Sequence, residues 1–313
     1  MLDLSIVIPL LNEEESLPEL HDWIHKVIST NGLSYELIFI DDGSKDNSWN
    51  VIHKLRDKNE HVRALKFQRN YGKSAALQVG FQLAKGSVVV TMDADLQDSP
   101  EEIPALRRMI LDQDFDVVSG WKRKRHDPIT KTIPTKLYNW AARRITRIHL
   151  HDFNCGLKAY KLAVVKSIEL YGDMHRYVPA LAKYAGFTQI GEKEVLHQAR
   201  KYGVTKFGLN RFLNGPLDLM TVAFMGKFGK KPMHFFGALG MFMFMIGFGL
   251  IFYLGVDKLF IHTTARNLAQ RSEFFIALSA MIMGVQFFLA GFLAELIGRN
   301  SYTRNHYLIE QEI

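Results

Sequence analysis

Two long stretches without an acidic or basic side chain limit what this chain can become. Neither Met233 to Val256 nor Phe274 to Ala294 contains Asp, Glu, Lys or Arg, and Gln286 is the most polar member of the second run. As helices rising about 1.5 Å per residue, either run crosses the roughly 30 Å hydrocarbon core of a bilayer. A core helix of a soluble domain keeps a polar face, whereas these are apolar all round and longer than ordinary core helices. Two transmembrane helices are therefore expected, at about 233–256 and 274–296. Lys227, Lys230 and Lys231 precede the first, and Arg299 and Arg304 follow the second. The loop between them holds Lys258, Arg266 and Arg271 against Asp257 and Glu273, so the positive-inside bias is shallow but favours cytoplasmic flanks. The face carrying Gly237, Gly240, Gly247 and Gly249 could pack against another helix, including one of a second copy in a homo-oligomer.

The remainder alternates strand and helix patterns. Leu4 to Leu10, Tyr35 to Ile40, Val62 to Phe67 and the β-branched run ending at Thr91 read as strands. Helical stretches reach from about Leu17 to Ser29 and from Ser74 to Lys85. This order argues for βαβ units and an α/β fold with a mostly parallel sheet. Each strand end carries acid or amide groups: Asn12-Glu13, Asp41-Asp42-Gly43-Ser44, Arg69-Asn70-Tyr71-Gly72-Lys73, and Asp93-Ala94-Asp95-Leu96-Gln97. Ligands of open α/β sheets collect outside the carboxyl ends of the strands. Two carboxylates and an amide oxygen there form a hard-oxygen set suited to Mg²⁺ or Mn²⁺, with positions left for substrate phosphates. A metal–diphosphate site is the expectation.

The ordered series Val7-Ile8-Pro9 with Asn12-Glu13, then Asp41-Asp42-Gly43-Ser44, then Asp93-Ala94-Asp95-Leu96-Gln97 resembles the inverting family 2 glycosyltransferases of GT-A fold. Within them it is most similar to the polyprenyl-phosphate glycosyltransferases, the group of dolichol-phosphate mannose synthase and bacterial undecaprenyl-phosphate sugar transferases. The likeness covers about residues 3 to 210. It implies a Rossmann-like sheet with helices on both faces, a nucleotide-sugar donor and a polyprenyl-phosphate acceptor. Carried over, Pro9, Leu11 and Glu13 line the base and ribose pocket. Many relatives have Tyr where Leu11 stands, so a stacking contact is absent here. Asp41 accepts a hydrogen bond from the base, Asp42 sits beside it, and Asp93, Asp95 and Gln97 hold the metal on the diphosphate. From the residues alone, Asp41-Asp42-Gly43 also reads as a turn, and Glu13 as an acidic first helical turn.

The net charge of +7 is concentrated: Lys122, Arg123, Lys124, Arg125, Lys131, Lys136, Arg143, Arg144 and Arg147 face only Asp127. No nucleic-acid recognition motif accompanies them, so anionic membrane lipids are the expected partners and nucleic acid is not. The resemblance implies that basic groups here bind the acceptor phosphate; Lys122, Arg123 and Lys131 are the positional matches. It also implies a role near the reacting centre for Asp152, in Asp152-Phe153-Asn154-Cys155-Gly156-Leu157-Lys158. Asp152 read alone equally caps the following turn. The segment Arg200-Lys201-Tyr202-Gly203-Val204-Thr205-Lys206 is similar to a loop that closes over the diphosphate, which makes Arg200 and Lys206 neutralisers of leaving-group charge. Trp does not follow Arg200, so the processive Gln-x-x-Arg-Trp signature is missing and a single transfer per acceptor is implied.

The lone Cys155 excludes an intrachain disulfide and suits a reducing compartment. Met1 to Leu10 lacks a basic start and turns straight into sheet, so no secretory signal is expected there. The expected organisation is a cytoplasmic catalytic domain (1–208), an amphipathic juxtamembrane segment (209–231), a two-helix membrane domain (232–297) and a polar, loosely ordered cytoplasmic tail (298–313). A bacterial inner membrane is the expected location. Two competing readings keep part of this picture: a glycosyltransferase acting on a glycolipid or sugar hydroxyl, and a catalytically silent nucleotide-sugar-binding scaffold.

Overall fold

The computed structural model describes residues 2–123, 139–199, 201–202, 220–221, 224, 228, 232–261, 267–300 and 309–312. The strands are β1 (Leu4–Leu10), β2 (Tyr35–Asp41), β3 (Val62–Phe67), β4 (Val88–Thr91), β5 (Val117–Trp121), β6 (Lys158–Lys161), β7 (Ile190–Glu194) and β8 (Ile309–Glu312). The helices are α1 (Leu17–Thr30), α2 (Ser48–Lys58), α3 (Lys73–Leu83), α4 (Ile103–Asp112), α5 (Leu162–Ser167), α6 (Val178–Tyr184), α7 (Pro232–Val256) and α8 (Ser272–Asn300). The chain divides into one unit of Met1–Ala223 with Asn305–Ile313 and a second of Phe224–Arg304.

In the first unit one eight-stranded sheet has the order β7-β5-β6-β4-β1-β2-β3-β8. Every strand runs in one direction except β6 and β8. All of β1 is buried, because its alternate side chains feed two different cores. Leu4, Ile6, Ile8 and Leu10 pack with α1, α2 and α4, whereas Val7 packs with α3, α5 and α6 on the other face. Helix α1 earns its place through the apolar stripe Leu17, Leu20, Ile24, Val27 and Ile28, the spacing of one helical face.

Pro9 lies inside this central strand, a position where a missing N–H normally breaks a ladder. The Val7 carbonyl accepts the Met92 N–H at 3.3 Å, so residues 7 and 9 turn their backbone polar groups toward β4. The β1–β4 register ends at Val7↔Thr91, leaving no bond for Pro9 to forfeit. Reversed β6 matters more for function. Its first residue, Lys158, pairs with Thr91, which ends β4, so the segment before β6 arrives at the edge where Asp93 begins.

The expected loose tail is corrected at Ile309–Glu312, which forms β8 antiparallel to β3 and covers that edge of the sheet. The Trp49 indole N–H also donates to the Gln311 side chain. Four mostly polar residues give no apolar alternation, and main-chain pairing holds them instead.

The second unit contains α7 and α8, both long and apolar enough to span a membrane. Met241 is 56% exposed and Phe252 64%, so the large side chains point away from the pair. What the helices bury against each other is small. A methyl group added to Gly240 would lie 2.5 Å from the Gly284 carbonyl oxygen, and one on Gly247 would lie 2.5 Å from that of Ala277. The glycine face expected to pack against another helix meets the chain's own second helix at Gly240 and Gly247; Gly249 has nothing within 4 Å. Between the helices Arg271 pairs with Asp257 at 2.8 Å. Of the juxtamembrane stretch 209–231, only residues 220, 221, 224 and 228 are described, so its amphipathic reading lies outside the described residues.

Candidate active site

The carboxyl ends of β1 and β2 are laced together by their loops. The Asn12 N–H donates to Ser44 Oγ at 2.8 Å, and the Lys45 N–H returns to Asn12 Oδ1 at 2.8 Å. The Glu13 N–H donates to Ser48 Oγ at 2.9 Å, and Ser16 Oγ donates to Glu13 Oε2 at 3.0 Å. Asn12 tolerates the left-handed backbone this crossing needs (φ 56°). Pro9, Leu11 and Glu13 therefore stand on a braced rim.

Asp41 is buried at the end of β2. Its Oδ1 accepts the Ser44 N–H at 2.7 Å, while Oδ2 has no hydrogen-bond partner among the described residues. Burial raises its carboxyl pKa, against the opposing hydrogen bonds from Ser44. An oxygen in that state is short of one donor. Asp42, expected beside it, is engaged by the loop after β3. Its Oδ1 accepts the Tyr71 N–H at 2.7 Å and its Oδ2 the Gly72 N–H at 2.9 Å, so it braces the loop after β3. Gly43 completes the junction: it has φ 77°, and a Cβ there would lie 2.7 Å from the Arg69 carbonyl carbon.

Asp93 and Asp95 follow β4. Lys73, the first residue of α3, forms an ion pair with Asp93. Burial alone would raise the Asp93 carboxyl, but Lys73 overrides it and holds the group down at about 2. On another side lies Gly156, where a Cβ would come 2.6 Å from Asp93 Oδ2. Thr91 Oγ1 fixes that backbone by donating to the Gly156 carbonyl at 2.9 Å. Asp95 Oδ1 accepts the Gln97 N–H at 3.3 Å across Leu96. Leu96 is buried with φ 60°, a strained conformation costing on the order of 1–3 kcal/mol and typical of turns built for a purpose.

The turn also receives the segment leading to Arg200. The Gln198 N–H donates to the Gln97 carbonyl at 2.9 Å, and Asp98 bridges His197. Beyond it Lys201 pairs with Glu19 at 2.7 Å, and Tyr202 donates to the same carboxylate at 3.3 Å. Arg200, Lys206 and Lys131 lie outside the described residues. Lys122, expected on the acceptor phosphate, is largely buried and paired with Asp98 at 2.6 Å. Burial opposes its charge, but Asp98 more than compensates and keeps the ammonium protonated. Arg123 remains exposed, 3.4 Å from Glu194 and over the Trp121 ring.

Asp152 is buried, and its Oδ1 accepts the Asn154 N–H at 3.0 Å, the turn-capping alternative. Beneath it buried Lys158 donates to the Phe153 carbonyl at 3.3 Å and to that of Cys155. Burial pushes the Cys155 thiol up to about 12, which removes it as a nucleophile. Lys73, Asp98, Gly156 and Glu192 (which accepts the Asp152 N–H at 3.1 Å) are site residues that the sequence reading assigned no role. Two of them had a signal: Lys73, at the end of the third strand, and Gly156, inside the Asp152 segment.

Among the described residues no three His, Cys, Asp or Glu side chains gather for a metal. A divalent cation would instead use Asp93, Asp95 and the Gln97 amide with substrate oxygens, as Mg²⁺ sites commonly do. The ionised state of Asp93 fits that donor set.

Residues 5–168 match the model of "Glycosyl transferase family 2". Dodecaprenyl-phosphate galacturonate synthase of Rhizobium johnstonii is 34% identical, over 99% of this chain and 93% of that protein. Undecaprenyl-phosphate 4-deoxy-4-formamido-L-arabinose transferase of Shewanella sediminis is 35% identical, over 94% and 87%. Among solved structures, glucosyl-3-phosphoglycerate synthase of Mycobacterium tuberculosis, in complex with Mn²⁺, UDP and product, superposes with a TM-score of 0.55. It is 20% identical over 72% of this chain and 80% of that one. Mannosyl-3-phosphoglycerate synthase of Rubrobacter xylanophilus gives 0.57 at 16% identity, over 72% and 75%. At such identities the structural likeness speaks for the fold alone.

Proposed function

The chain belongs to glycosyl transferase family 2, and from that membership we propose that it moves a hexose from a UDP- or GDP-linked donor to a polyprenyl phosphate. The reading rests most on full-length similarity to transferases named for such acceptors, joined to an ionised carboxylate at the β4 edge. It places the reaction at the cytoplasmic face of an inner membrane, with α7 and α8 as a two-pass anchor.

An acceptor phosphate oxygen attacks the anomeric carbon in line, a new C–O bond forms, and the bond to the nucleoside diphosphate breaks with inversion. The attacking oxygen is already anionic, because the second pKa of a phosphate monoester is about 6. No general base is needed. Buried Asp152, with Oδ1 engaged by its own turn, is poorly set to deprotonate a hydroxyl, which favours the phosphate acceptor over an alcohol. Asp41 Oδ2 accepts the base N–H, supplying the donor it lacks, and Leu11 and Glu13 line the same pocket. Mg²⁺ or Mn²⁺, when held by Asp93, Asp95 and Gln97, would offset charge on the diphosphate. Lys73 stands at that carboxylate, and Arg200 and Lys206 are assigned to the same charge.

The test is direct. Purified full-length protein is incubated with undecaprenyl phosphate and a panel of UDP- and GDP-sugars, with Mg²⁺ or Mn²⁺, and the lipid is weighed by mass spectrometry. The expected product carries one sugar, released by mild acid and resistant to base. A chain that binds nucleotide sugar and never glycosylates the lipid would defeat the reading.

A further inference from the structure

Glu192 on β7 organises a group that the site described so far does not use. Its Oε1 accepts the N–H of His151 at 2.8 Å and of Asp152 at 3.1 Å, and its Oε2 faces His151 Nδ1 at 2.7 Å. A carboxylate only accepts, so Nδ1 carries the hydrogen and Nε2 is the remaining edge of the ring. That edge has no hydrogen-bond partner among the described residues, and the His151 side chain is 57% exposed. The ring is also held by packing, stacked on Trp121 with centroids 4.2 Å apart and planes 18° from parallel. Arg123 lies 5.9 Å over the same Trp121 ring. An imidazole and a guanidinium thus flank one aromatic platform, and Glu192 fixes the orientation of the first.

The platform ends β5, which is separated from β4 by β6 alone. At about 4.8 Å per strand, it stands roughly 10 Å along the sheet edge from the Asp93 turn. β4 and β5 run in the same direction, because each is antiparallel to β6, so both ends open on one edge.

We propose that His151, aligned by Glu192 and seated on Trp121, binds the phosphate of the lipid acceptor at its Nε2 edge, with Arg123 as the second group. The charged groups around it are Glu192, Asp152, Arg123 and Glu194. The assignment rests on the polyprenyl-phosphate reading and deepens it. It fills the place that Lys122, occupied by Asp98, leaves in the expected phosphate site. Glu192 is a positioning residue and touches no substrate.

The experiment uses the full chain in detergent, with undecaprenyl phosphate as acceptor and the donor that the unaltered protein accepts. His151→Gln is expected to raise KM for undecaprenyl phosphate about tenfold, the worth of one charge-assisted hydrogen bond. Binding of UDP with Mn²⁺ should stay unchanged, as should donor KM. Glu192→Gln should move acceptor KM the same way by less, because its amide still accepts the backbone N–H groups. His151→Lys, which supplies another N–H donor at that place, should recover most of the loss. An unchanged acceptor KM in His151→Gln would overturn the proposal, as would an equal loss of UDP binding, which signals a merely structural ring. If the unaltered protein does not use undecaprenyl phosphate at all, the parent reading fails and this one with it.

Discussion

Glycine does opposite work in the two units. In the sheet unit, large apolar side chains are buried and glycines let polar machinery close up: Gly43 beneath Arg69 and Gly156 against the Asp93 carboxylate. In the helix pair, Gly240, Gly247 and Gly284 are the packed surface, while Phe242, Met241 and Phe252 face outward. The difference follows from the solvent. Water expels apolar groups and leaves glycine for special geometry, whereas lipid gives Phe and Met no reason to hide, so backbone contact holds the helices.

Truncation provides the largest test of that contrast. Ile6→Ala should destabilise the sheet unit by about 2–5 kcal/mol, the usual cost of a cavity in a packed core. Phe242→Ala should change thermal unfolding in detergent by no more than about 0.5 kcal/mol, since its side chain is exposed. Similar losses at both positions would erase the distinction. Next comes Gly156→Ala, whose methyl must displace Asp93: sugar transfer should fall about 100-fold, the penalty of an ångström-scale misplacement, with weaker Mn²⁺ binding. Gly240→Leu should instead cost about 1–3 kcal/mol of helix-pair stability by overpacking and leave UDP binding untouched.

The smallest effect is electrostatic. Burial raises the Asp41 carboxyl above its value in the unfolded chain. The folded state therefore disfavours its ionised form, so this residue subtracts stability as pH climbs through the ordinary carboxylate range and restores it as pH falls. Asp41→Asn should melt higher than the parent at neutral pH and lose that advantage in acid. It should also bind nucleotide less well, because an amide N–H replaces the accepting Oδ2. Tighter UDP binding by that variant would remove Asp41 from the base pocket.

Periodic burial was the legible part of this chain. β1 and β3 begin and end where their apolar patterns do, β2 runs one residue further to Asp41, and both membrane-length helices lie where charge is missing. Polar partnerships were harder to read. Asp42 and Asp41 are neighbours with the same chemistry, yet one meets two amides of a distant loop and the other keeps an open oxygen. Lys122 looks like any other basic residue of its cluster until β5 brings it to Asp98. Glu192 and His151 sit forty-one residues apart in the chain and meet only because of how β7 lies beside β5. Side-chain pattern records which face is dry, and partner choice belongs to the assembled sheet.

The strand at Ile309–Glu312 has a practical consequence for handling this protein. Clipping it away, or burdening it with a fused purification handle, would bare the β3 hydrogen-bonding edge to neighbouring molecules. Shortened versions should clump on storage even though every group assigned to chemistry is still in place.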